Sequence, residues 1–70
     1  MRAYNLFRRK GRATFYCAVP EDLVVPDFLS DKNWAFSGKV EAGLGAPAGF
    51  DEARAAICAR FIGFYLFQEI

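Results

Sequence analysis

Asp51-Glu52-Ala53-Arg54-Ala55-Ala56-Ile57-Cys58-Ala59-Arg60-Phe61-Ile62-Gly63-Phe64-Tyr65-Leu66-Phe67-Gln68-Glu69-Ile70 is the stretch whose interpretation decides the fold. Asp51 carries the short acceptor side chain of an N-cap. Glu52 follows in the first turn, where the positive end of the helix dipole favours a carboxylate. Taken as one helix over 51–69, the segment has no dry-to-wet division. At roughly 100° per residue, the apolar or small run 61–67 points in every direction around the axis. A helix resting on a single surface would show a polar back over those two turns. The sequence therefore predicts that a second surface covers this helix, and a 70-residue chain has little material to supply one. A partner is expected there, with Phe61, Phe64, Tyr65 and Phe67 as its anchors.

Upstream of the helix, residues 2–8 and 12–19 read as two strands joined at Arg8-Arg9-Lys10-Gly11. Gly11 suits the left-handed position that closes a type I turn with a one-residue bulge, so that Arg8 faces Arg12. Phe7 then lies beside Ala13, Asn5 opposite Phe15, and Ala3 opposite Cys17. That face, with Val19, is one candidate core; Tyr4, Leu6, Thr14, Tyr16 and Ala18 form the other. A tighter turn would pair Leu6 with Phe15 and Tyr4 with Cys17, but it forces Lys10 to a positive φ, so the bulged form is preferred. Either register leaves a large aromatic on the second face.

Pro20 ends the second strand, and Pro26-Asp27-Phe28-Leu29 suits one short helical turn with proline at its start. Residues 33–41 alternate: Trp34, Phe36, Gly38 and Val40 fall on one side, Asn33, Ala35, Ser37, Lys39 and Glu41 on the other. This is the pattern of a half-buried strand. Residues 42–50 form a Gly/Ala/Pro loop. The expected fold is a single α+β domain over residues 1–70. It has a three-stranded, mainly antiparallel sheet (hairpin, short helical turn, third strand) with one long C-terminal helix packed across it.

A 54% hydrophobic composition places the chain in the globular class and excludes disorder. Net charge is +1, too small to imply bulk attraction to nucleic acid or to an anionic membrane. Its distribution is uneven. Arg2, Arg8, Arg9, Lys10 and Arg12 place +5 ahead of any acid, while residues 20–52 sum to −5. Such polarity can steer association. Cys17 and Cys58 form no C-x-x-C pair and no secretory signal precedes them, so both are expected as buried thiols in a reducing, cytoplasmic setting. The uninterrupted run 61–67 is about a third of the roughly 20 residues a membrane span needs.

Chemistry-bearing motifs are sparse. The chain has no histidine, which removes the usual general base and the commonest metal ligand. Glu21, Asp22, Asp27 and Asp31 lack the spacing of a calcium loop and are expected as solvated loop acids. Gly43-Leu44-Gly45-Ala46-Pro47-Ala48 formally matches a dinucleotide fingerprint. However, Pro47 falls where that helix should already run, and no strand is expected after the long helix to close the βαβ unit. No cofactor and no metal are expected.

Two patterns carry the functional expectation. Ala55, Ala59 and Gly63 line a small-residue seam, which suits docking of the helix on its own sheet and turns Phe61, Phe64 and Tyr65 outward. Removing roughly 600 Å² of leftover apolar surface is worth on the order of 15 kcal/mol before association costs. The leading expectation is thus a non-catalytic protein acting through protein–protein contact, as a homodimer or a subunit of a complex. Phe61, Phe64, Tyr65 and Phe67 would form the interface, or Tyr4, Leu6 and Tyr16 on the sheet. The alternative is an RNA- or DNA-binding module led by Arg8, Arg9, Lys10 and Arg12, with Tyr16 or Tyr4 stacking on a base.

Overall fold

A computed structural model describes residues 3–12, 14–41 and 44–70. The sheet has four antiparallel strands rather than three, and the helix spans 10 residues rather than running to the C-terminal end. Strands β1 (Tyr4–Arg9) and β2 (Phe15–Pro20) are followed by a 3₁₀ turn (Asp27–Ser30). Strand β3 (Trp34–Val40), helix α1 (Glu52–Phe61) and strand β4 (Tyr65–Gln68) complete the order. In space the strands run β3-β1-β2-β4.

Gly63 is the reason the expected long helix does not form. Asp51 caps the start, its Oδ1 accepting the Arg54 N–H at 3.1 Å. At the other end the Cys58 carbonyl accepts both the Ile62 and the Gly63 N–H groups, and Gly63 adopts φ 84°, a left-handed turn open to glycine at little cost. Past it, the aromatic run prefers the pleat of a sheet. The run 61–67, apolar on every side as a helix, is divided instead: Phe61 ends α1, and from Tyr65 the chain alternates as a strand. Tyr65 and Phe67 point into the core, while Leu66 and Gln68 point out.

The hairpin register differs from both expected forms. Tyr4 faces Pro20, Asn5 Val19, Leu6 Ala18, Phe7 Cys17 and Arg8 Tyr16. The Arg12 N–H donates to the Arg9 carbonyl at 3.2 Å, and the Phe15 N–H to the Arg12 carbonyl at 2.9 Å. The expected pairing would have set Arg8 against Arg12, and like charges directly opposite are destabilising. The observed one places Arg8 beside an aromatic ring. Its expected Phe7–Ala13 contact falls outside the described residues. The shift between registers is an even number of positions, so every described side chain keeps its expected face.

Strand β3 breaks its own alternation. Leu6 pairs with Gly38 but Phe7 with Phe36, leaving Ser37 as a bulge. Gly38 and Val40 therefore lie on one face, and Trp34 and Phe36 on the other, against the single dry side expected for all four. This division creates two cores. On the first face Tyr4, Leu6, Ala18, Val40, Tyr65 and Phe67 pack under Ala55 of α1. Phe50 sits among them, its ring 5.5, 5.8 and 5.3 Å from those of Tyr4, Tyr65 and Phe67. On the second face Cys17, Val19 and Trp34 pack under Leu29, with Phe7, Phe15 and Phe64 around them. The chain from β2 to β3 must pass from one end of the sheet to the other, since both strands run antiparallel to β1 between them. This crossover covers the second face.

The outer edge of β4 is closed by the preceding loop. The Ile70 N–H donates to the Ala48 carbonyl at 3.1 Å, and a Cβ at Gly49 would strike the Gln68 carbonyl oxygen. Gly49 also has φ 101°. Gly63 needs its left-handed backbone but has open space around it, and Gly38 needs neither. Replacement by alanine should follow that order: Gly49→Ala costs roughly 3 kcal/mol and Gly63→Ala about 1, while Gly38→Ala changes stability by less than about 0.5. Urea unfolding midpoints check the ranking.

Candidate interaction surfaces

Of the side chains expected as an interface, Tyr4, Leu6, Tyr65 and Phe67 lie in the first core. Tyr16 is half-buried, its ring stacked on Phe67 at 5.4 Å. Phe64 is half-buried on the opposite side of the sheet, edge-on to Phe28 at 5.0 Å. Phe61 stands apart at 76% exposure.

Helix geometry explains the outward position of Phe61. Ala55 and Ala59 of the small-residue seam are buried against the sheet, and Gly63 falls beyond the helix end. Ile57 and Phe61, four residues apart, share the opposite face, with Ile62 following at the cap. All three are more than half exposed. Arg54 and Arg60 lie three positions from Ile57 on either side. Arg54 reaches back to Asp51 at 3.7 Å, a solvent-exposed pair of small energetic weight. The outer surface of α1 is thus an apolar ridge with basic flanks. Uniform apolarity hid Ile57 and Ile62 as anchors; only helical phase relative to Ala55 and Ala59 separates them from the core.

The crossover presents a second apolar surface on the other side of the sheet. Leu23, Val24, Val25 and Phe28 are exposed, Val24 at 90%. Glu21, Asp22, Asp27 and Asp31 accompany them and are also exposed. Glu21 pairs with Lys39 across the sheet, which holds the Lys39 ammonium above its usual pKa. Among the described residues no group of His, Cys, Asp and Glu is placed to hold a metal ion.

The basic hairpin forms a third surface. Arg8, Lys10 and Arg12 are exposed, and the Arg9 guanidinium lies over the Trp34 ring at 5.6 Å. Lys10 is tied to the loop before β3, its N–H donating to the Asn33 carbonyl at 2.6 Å. Among the described residues none of these four cations is in an ion pair. On the face shared by Arg9 and Trp34, Phe36 meets Phe7 edge-on at 5.8 Å yet remains 63% exposed. The bulge at Ser37 puts Phe36 there. A regular period-two pattern gave no hint of that bulge.

Neither cysteine is in a disulfide, and they lie on opposite sides of the sheet. Burial pushes the Cys17 thiol up from 9.0 to about 12, partly offset by a backbone hydrogen bond from Tyr65. Because the folded state holds this proton more tightly than the unfolded chain, the contribution is complete below about pH 9 and is lost as pH rises towards 12. Native protein treated with iodoacetamide at neutral pH should label at the half-buried Cys58 first and at Cys17 only on unfolding. Urea midpoints should fall between about pH 9 and pH 11, and replacing Cys17 by Ala should flatten that decline. No helix among the described residues is long and apolar enough to cross a membrane. Protein-family models, curated proteins and solved structures contain no match to the chain.

Proposed function

We propose that this is a non-catalytic protein that works by protein–protein contact, as a homo-oligomer or as a subunit of a larger complex. The supporting observation is the exposed ridge of Ile57, Phe61 and Ile62 on α1. A helix this short on so small a domain could readily have turned polar residues outward. Three contiguous large apolar side chains in water mark a docking surface more often than a monomer's ordinary exterior. Phe61 is the anchor, and Arg54 and Arg60 set the charge a partner must complement. Light scattering on the purified protein at micromolar concentration should give a particle mass above one chain. Phe61→Asp should return it to one chain without changing the tryptophan emission of Trp34. An assembly unaffected by Phe61→Asp would remove this surface from the reading.

A second reading is favoured by the hairpin. None of its four cations is in an ion pair among the described residues, and Phe36 offers an exposed ring on the face of Arg9. Tyr4 is too deeply buried to stack on a base. In this reading Arg8, Arg9, Lys10 and Arg12 hold phosphates of a single strand while Phe36 stacks. Fluorescence anisotropy with a labelled single-stranded oligonucleotide at low salt tests it. Binding should weaken with salt, with a slope of about −0.7 per phosphate contacted, and Phe36→Ala should lower affinity by roughly tenfold. No retention at low salt would end it.

A further inference from the structure

We propose that copies of this chain associate head to tail, the outer ridge of α1 on one copy seated on the acidic, apolar crossover of the next. The inference rests on the protein-contact reading and names the partner as a second copy. Its first support is charge. A symmetric pairing of α1 ridges would bring together Arg54 and Arg60 from both copies, with Asp51, already engaged by Arg54, as the accompanying exposed acid. That contact carries excess positive charge. The crossover carries the opposite sign: no cation occurs from residue 20 to residue 31, while Asp22, Asp27 and Asp31 lie there beside Glu21, which is paired with Lys39. Opposite potentials across a contact favour the productive encounter and disfavour like-on-like pairing.

The second support is apolar match. Val24 is the most exposed large apolar side chain of the crossover, and Val25 and Phe28 beside it are about two-fifths exposed. A ridge of Ile57 and Phe61 laid on this surface would remove both sets from water at once, leaving Arg60 to face the crossover carboxylates at the rim. The third support is placement. The helix lies over one face of the sheet and the crossover over the other. Each copy therefore owns one ridge and one seat, on opposite sides, so the contact is heterologous. Such contacts give rings if the rotation closes and open stacks if it does not.

Sedimentation velocity on wild-type protein and on two surface variants, Phe61→Asp and Val24→Asp, tests this. Wild type should sediment faster as concentration rises through the micromolar range, with each variant alone remaining one chain in mass. An equal mixture of the two variants should form a dimer and nothing larger, because one intact ridge meets one intact seat. Association of wild type should also weaken at least tenfold in Asp27→Lys and recover in part when that variant is mixed with Arg60→Glu. Circular dichroism and Trp34 emission confirm that each variant is folded. Wild type that assembles while the mixture stays monomeric overturns the head-to-tail arrangement and leaves the protein-contact reading standing. Assembly lost in Phe61→Asp but kept in Val24→Asp points to ridge-on-ridge pairing and also overturns it. Wild type that is one chain at every concentration overturns it outright.

Discussion

Pairing of β4 with β2 is the constraint on which the rest of the molecule depends. Residues 65–68 lie along residues 15–18, which puts Tyr65 beside Ala18 and Phe67 beside Tyr16. Two large rings thereby enter the first core and meet Phe50, and Phe50 in turn fixes the loop that delivers α1 across the sheet. Without that strand the helix would lack half of the surface beneath it, and β2 would become an unprotected edge. A four-residue strand can hold this position because it pairs with β2 along its whole length while Gly49 lets the loop approach its other side closely.

The second face follows a different plan. No helix covers it. The crossover supplies one buried leucine, Leu29, and the remaining cover comes from aromatic rings leaning on one another: Phe28 on Trp34, Phe28 on Phe64, and Phe15 on Trp34. Edge-on ring contacts add modest energy beyond the area they bury. This explains how 70 residues shelter both sides of one sheet, and why the cover is thinner where Phe36 and Leu66 remain in contact with water.

Much of this was legible in the residues and some was not. Asp51 as a cap, the turn after Pro26, the two hairpin strands and the third strand all follow from local chemistry that tertiary contacts reinforce. The C-terminal run was misjudged because a short apolar segment reads equally well as buried helix or as strand by periodicity alone. Gly63 followed by Phe64-Tyr65-Leu66-Phe67 was the available signal: a helix stop and then β-favouring side chains. The bulge at Ser37 left no comparable trace, since neither Ser37 nor its neighbours demand it. At the surfaces, the basic cluster was plain from sequence. The Ala55/Ala59 seam already turned Phe61 outward; that Ile57 and Ile62 join it is seen only with the helix ending at Phe61.

The sheet order has a bearing on how the chain assembles itself. Its two central strands are sequence neighbours, and both rims are supplied by later segments. During synthesis the hairpin can pair early, since its closure is local, but its β2 flank waits for residues 65–68 to arrive. For that interval the nascent chain presents open backbone groups flanked by Tyr16 and Cys17. Until the closing strand docks, that open flank is a place where another chain could pair.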